Sequence, residues 1–252
     1  MLSSVLPLKV LLCGKVLSFG VSSNGVFLKY VNNRSRKKFM TDFLLKDGQT
    51  VVFAGDSITD CGRRAAEAPF GTGYVRHSIE LIRARYPQLK LEYHNEGIGG
   101  NTVVDLQNRW EDDVLRHQPD WITVKIGIND LHRVLRQSPE PVTLEIFEAA
   151  YRDILTRSKA AGAQLLLIDP FYISQDHCEN SFRKTVLDII PEYIAVVDKM
   201  AAEFDALQVK THDLFQEQLK YRPADYFCPE PVHPYASGHH VIALGLLDKL
   251  NW

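Results

Sequence analysis

Ser57 stands in Val51-Val52-Phe53-Ala54-Gly55-Asp56-Ser57-Ile58-Thr59, where an apolar run of four residues empties into a glycine, an acid and a hydroxyl. A buried strand followed by a tight turn is the reading of that pattern, and the strand ends of an α/β sheet are where such folds place their chemistry. A serine there can present its hydroxyl to a cleft as a nucleophile, or it can simply cap the next helix. Three later segments bear on the choice. Asn95-Glu96-Gly97-Ile98-Gly99-Gly100-Asn101-Thr102 follows a strand-like run and carries three glycines in four positions, so its backbone can approach a ligand closely. Trp121-Ile122-Thr123-Val124-Lys125-Ile126-Gly127-Ile128-Asn129-Asp130 is another strand that runs into a glycine and then an amide side chain, a neutral donor. Val232-His233-Pro234 supplies an imidazole just before a last amphipathic helix.

Acyl transfer needs a nucleophile, a base, and donors where an oxyanion forms. In chain order the four segments offer Ser, Gly, Asn and His, each at the carboxyl end of a strand or in a strand-to-helix loop. This quartet resembles the four blocks of the SGNH (GDSL-type) esterase superfamily, from about Thr50 to the C-terminus. The longer runs Gly55–Gly62 and Lys125–Asp130, with Phe70–Val75 and Pro119–Trp121, bring it nearer to the bacterial branch that includes acetylxylan esterases. The resemblance implies a three-layer α/β/α sandwich on a five-stranded parallel sheet, flavodoxin-like. It implies Ser57 as nucleophile, His233 as general base, and an oxyanion hole from the Ser57 and Gly100 N–H groups and the Asn129 amide. No cofactor is called for. The family's acid three residues before the histidine falls here on Glu230, one methylene longer than aspartate and followed by Pro231. Asp225 is the alternative acid nearest in sequence.

The expected activity is hydrolysis of short acyl, foremost acetyl, esters of carbohydrates such as acetylated xylo-oligosaccharides. The alternatives are a lysophospholipase- or thioesterase-type lipase, and a catalytically weak module that binds acylated glycans. No long insertion leaves room for a lid, and a binding site needs no nucleophile–base pair. An ordinary α/β-hydrolase would carry Gly-x-Ser-x-Gly, which Ser57 does not fit. His233, His239 and His240 lack an H-x-x-x-H spacing with a third ligand, so no metal site is expected. His132 is expected to be solvated, Trp110 to pack on its helix stripe, and Cys61 to pack as a small side chain.

The chain of 252 residues is long enough for one large domain with a substantial core. Hydrophobic residues make up 45% and charged residues 24%, with a formal net charge of −2, so neither nucleic acid nor an anionic membrane is implied as a partner. The partner expected is a small-molecule ester, and self-association is left open. Four scattered cysteines without C-x-x-C spacing fit reduced thiols and a cytoplasmic setting. Residues 1–39 do not match the rest. Lys9 and Lys15 interrupt the apolar patches of Val5 to Val21, which suit neither a membrane span nor a secretory signal. We therefore expect an N-terminal extension at 1–39 and the hydrolase domain at 40–252, secreted only if the extension includes a degenerate signal peptide.

What must position the quartet is an alternation of strands and helices. Strand-like runs fall at 50–54, 90–95, 121–126, 164–168 and 206–211. Apolar spacing of three and four predicts intervening helices, among them one over Val103, Val104, Leu106, Trp110 and Val114 and another from Leu144 to Ser158. Five βα units imply a parallel sheet covered on both faces.

Overall fold

The structure, a computed structural model, describes residues 9–12, 15–22, 25–30 and 43–252. Two compact units divide the chain, Met1–Phe43 and Leu44–Trp252. In the first, β1 (Lys9–Leu12), β2 (Lys15–Ser22) and β3 (Gly25–Tyr30) form an antiparallel three-stranded sheet in sequential order. No element is expected there from the sequence, although Leu17-Ser18-Phe19-Gly20-Val21-Ser22 alternates apolar with small residues as a strand does. The expected domain start at Met40 lies outside the described residues.

In the second unit, β4 (Thr50–Gly55), β5 (Glu92–Gly97), β6 (Trp121–Lys125), β7 (Gln164–Ile168) and β8 (Leu207–Val209) pair in the order β5-β4-β6-β7-β8, all parallel. This is the 2-1-3-4-5 order of flavodoxin-like sheets, whose chain reverses direction of growth between its first and third strands. Gly55 registers with Gly97 on one side and Lys125 on the other. The chain therefore leaves β4, β5 and β6 at one level, and three loops converge where the order switches.

Eight helices are described: α1 (Ser57–Asp60), α2 (Tyr74–Arg85), α3 (Val103–Arg109), α4 (Ile128–Leu135), α5 (Leu144–Ala160), α6 (Phe182–Glu203), α7 (Thr211–Gln218) and α8 (Ala236–Lys249). One group packs α2 on α8 and α7 on α8; the other packs α3 on α5 and α6 against α4 and α5. Between them the central strands β4, β6 and β7 supply most of the apolar core: Val52, Ala54, Ile122, Val124, Leu166 and Leu167 have no exposure. The helix predicted over 103–114 is α3 continued by a π-helical turn, Trp110–Val114. Trp110 packs in the core as expected, and its indole N–H donates to Ser158 Oγ at 3.1 Å. Thr102 opens α3 with a capping box closed by Asp105, which fixes where the glycine loop ends.

Candidate active site

Ser57 is the first residue of α1, and Asp56, not Ser57, is its N-cap. Asp56 Oδ1 accepts the Ile58 N–H at 3.0 Å, while Oδ2 accepts from Lys125 Nζ at 3.1 Å. The capping reading of Ser57 thus falls away and leaves its hydroxyl for other work. Gly55 is required by crowding, since a Cβ there would lie 2.2 Å from Thr59 Oγ1 and 2.5 Å from the Lys125 carbonyl oxygen. Below the turn, the Thr59 and Tyr74 hydroxyls share a hydrogen bond of 3.0 Å.

The second loop lies against this turn. Asn95 Nδ2 donates to the Thr59 carbonyl at 2.7 Å and the Phe70 carbonyl at 3.0 Å, and its Oδ1 accepts the Gly97 N–H at 3.0 Å. The Gly99 N–H donates to Asp60 Oδ2 at 3.2 Å, and a Cβ on Gly99 would meet Ser57 Cβ at 3.8 Å. Gly100 follows with φ +83°, a left-handed conformation suited to glycine. Arg63 holds the Gly97 carbonyl at 2.7 Å, and Arg109 holds the Glu96 carbonyl and Asn101 Oδ1, each at 2.8 Å. Asn129, in the first turn of α4, donates Nδ2–H to the Asn101 carbonyl at 2.9 Å. Its amide is thereby fixed on the glycine loop, with a second N–H available.

His233 comes from the far end of the chain. Its Nε2 lies 2.8 Å from Ser57 Oγ, and its Nδ1 lies 2.5 Å from Glu230 Oε1. Glu230 also folds back on its own loop, accepting the His233 N–H at 2.8 Å through Oε1 and the Val232 N–H at 3.0 Å through Oε2. That folded conformation absorbs the extra methylene. Burial pushes the Glu230 carboxyl up, but the Val232 N–H and the His233 ring and N–H outweigh it and hold the carboxyl below the usual range. An ionised carboxylate only accepts, so Nδ1 carries the proton and Nε2 offers its lone pair to the Ser57 hydroxyl. The loop itself is tied down where the Ile173 N–H donates to the Pro231 carbonyl at 2.9 Å. Asp225 sits exposed on a 3₁₀ turn, Ala224–Tyr226.

One expectation needs correction and another is met in part. Cys61 is half-buried, its Sγ packed 3.5 Å from Thr72 Oγ1 and 3.4 Å from His239 Nε2, and with Ser57, Asp60, Gly62, Arg64 and Ala65 it also lines a pocket of about 370 Å³. The left-handed turn at Cys61 (φ 44°), which ends α1, keeps it beside the serine. His132 is not a solvated loop histidine. It lies on α4 three residues past Asn129, with its ring against Tyr172 (6.2 Å) and Phe182 (5.6 Å). Burial lowers its pKa to about 4, so the ring is neutral. Lys125, Asn95, Arg63 and Arg109 were not read as positioning groups, because each acts through a partner distant in sequence.

The chain matches the model of the GDSL-like lipase/acylhydrolase family over residues 53–241. It is 36% identical to an acetylxylan esterase of Geobacillus stearothermophilus, covering 81% of this chain and 95% of that one. The crystal structure of that organism's acetylxylan esterase Axe2 superposes with a TM-score of 0.75 at 35% identity, covering 83% of this chain and 97% of the other. LAE5, an α/β hydrolase enzyme from the metagenome of Lake Arreo, gives a TM-score of 0.75 at 27% identity, with 82% and 97% covered. The chain belongs to the GDSL-like lipase/acylhydrolase family.

Proposed function

We propose that the protein is a serine esterase that removes short acyl groups, acetyl foremost, from carbohydrate esters such as acetylated xylo-oligosaccharides. The observation that carries this reading is the hydrogen-bonded chain from Ser57 Oγ to His233 Nε2 (2.8 Å) and from His233 Nδ1 to Glu230 Oε1 (2.5 Å). As Ser57 Oγ attacks the ester carbonyl, His233 Nε2 takes its proton and Glu230 stabilises the imidazolium. The N–H groups of Ser57 and Gly100 and the Asn129 amide receive the oxyanion. His233 then protonates the leaving alcohol, and water repeats the sequence on the acyl-enzyme. The similarity to acetylxylan esterases supports the acetyl and sugar assignments. Solved forms of Axe2 include catalytic mutants at a serine, a histidine and an aspartate, the residue types of such a triad with aspartate as the acid. The hydrolase domain is taken as residues 40–252, with 1–39 as an extension outside it.

The pocket beside Ser57, of about 370 Å³, is lined by Asp60, Cys61, Gly62, Arg64 and Ala65, two of them charged and none a large apolar side chain. Comparing kcat/KM along an acyl-chain series, then on acetylated xylo-oligosaccharides, tests the reading. Acetyl esters should be preferred to octanoyl esters by about tenfold or more, the scale on which pockets discriminate methylenes. Equal rates across the series would instead favour a lipase or thioesterase.

A further inference from the structure

A second cluster of chemistry-bearing side chains lies on β5, an edge strand of the sheet. The strand reads Glu92-Tyr93-His94-Asn95-Glu96-Gly97, and a period of two places Glu92, His94 and Glu96 on one face. Tyr93 and Asn95 point the other way, and Asn95 is spent on the serine turn. His117, from the 3₁₀ turn Leu115–His117 that follows α3, closes over the same face. Its ring stacks on His94 with centroids 3.7 Å apart and planes 18° from parallel. The Nε2 atom of each ring meets a carboxylate oxygen at 3.0 Å: His94 on Glu92 Oε1 and His117 on Glu96 Oε1.

We propose that His94, His117 and Glu96, with Glu92 as fourth ligand, form a binding site for a zinc-class divalent cation that ties the edge strand to the 115–117 turn. Two imidazoles and two carboxylates are a donor set that zinc takes in tetrahedral geometry, at about 2.0–2.2 Å per ligand. Such a geometry sets neighbouring ligand atoms about 3.3–3.6 Å apart. The ligand atoms of His94, Glu96 and His117 already lie within 4.8 Å of one another. Binding a common ion would require the two stacked rings to turn out of parallel, so that both in-plane lone pairs face it. A cation bound here would replace the two Nε2–carboxylate contacts.

The cationic neighbours permit this. Arg63 Nη2 pairs with Glu96 Oε2 at 3.0 Å, orienting the carboxylate and leaving Oε1 for the cation. Arg116 lies 3.9 Å from Oε1 and its Nε donates to His117 Nε2 at 3.5 Å; it is largely exposed, and the cation would displace it into solvent. None of the four ligands belongs to the serine site, so the proposal stands apart from the esterase reading.

The full-length protein, stripped with chelator and titrated with Zn²⁺ alone against a chromogenic indicator, tests it. One zinc per chain should bind, and zinc should raise the melting temperature in a concentration-dependent way. His94→Gln and His117→Gln should each abolish both effects. Glu92→Gln, on an exposed side chain that folding does not need, should weaken binding by about tenfold or more. Cys61→Ser and His233→Ala should bind as the unaltered protein does. Zinc binding that survives both histidine substitutions, or a melting temperature indifferent to zinc, overturns the proposal.

Discussion

Lys125 Nζ lies 3.1 Å from Asp56 Oδ2, and neither side chain has any exposure to solvent. The pair joins the ends of β4 and β6 beneath the serine, with the ammonium also 4.9 Å from the centre of the Phe171 ring. Burial pushes the Lys125 amine below its ordinary range and Asp56 opposes that. Since Asp56 also caps the Ser57 turn, the ion pair holds the Ser57 backbone in place.

Removing one member of such a pair leaves a charge buried alone. Lys125→Met should therefore cost about 3–5 kcal/mol of stability. The double variant Asp56→Asn/Lys125→Met keeps a capping oxygen and buries no charge, so it should recover more than half of that loss. Urea unfolding of the three proteins checks this. Equal losses in the single and double variants would mean that packing, not charge, dominates.

Asp130 gives a pH dependence. Burial raises its carboxyl pKa from 3.8 to about 7, although Oδ1 accepts the Val103 N–H at 2.9 Å. Between those two values the folded protein holds a proton that the unfolded chain has released. Stability from this group is thus complete below about pH 4 and lost as pH rises through 7. Asp130→Asn keeps the acceptor and removes the titration, so the variant should gain on the unaltered protein between pH 5 and pH 8. Some slope should remain, because burial raises Asp169 to about 7 as well. Unfolding free energies at the two pH values decide it; parallel changes in both proteins would contradict the assignment.

Glu230 is the acid facing His233, with Asp225 exposed elsewhere on the loop. Glu230→Gln should lower kcat by about tenfold or more, a bound kept below the ~10⁴ of an Asp→Asn change in a serine protease triad. Asp225→Asn should leave kcat unchanged. Steady-state kinetics showing the reverse pattern would reassign the acid.

How much was legible in the sequence follows from which signals are local. Apolar runs bounded by turn residues gave β7 its limits and β6 to within a residue. The fifth run shrank from 206–211 to Leu207–Val209, where two of three residues are half-exposed and periodicity is weak. The expected run 90–95 became Glu92–Gly97: its start moved to Glu92, and Glu96 and Gly97 continue the strand past the expected end. Ser57, Gly100, Asn129 and His233 are read as motif members and Glu230 from the family's acid three residues before the histidine; the structure brings Ser57, His233 and Glu230 into one hydrogen-bonded chain. Lys125 stood inside a quoted motif, yet its role depends on Asp56, 69 positions away, and no spacing rule reaches that far. Arg63, Arg109 and Asn95 bond to main-chain oxygens of other loops, contacts that leave no trace in residue type. His132 could have been suspected, since i to i+3 spacing on a helix puts it near Asn129.

The central claim is that Ser57 becomes acylated. Mixing the enzyme briefly with an activated acetyl ester, quenching in acid and weighing the proteolytic peptides tests it most directly. One acetyl group should be found on Ser57, in the peptide that carries Gly55-Asp56-Ser57, and none on that peptide from Ser57→Ala. Acetyl carried by another side chain during turnover, with Ser57 unmodified, would contradict the account.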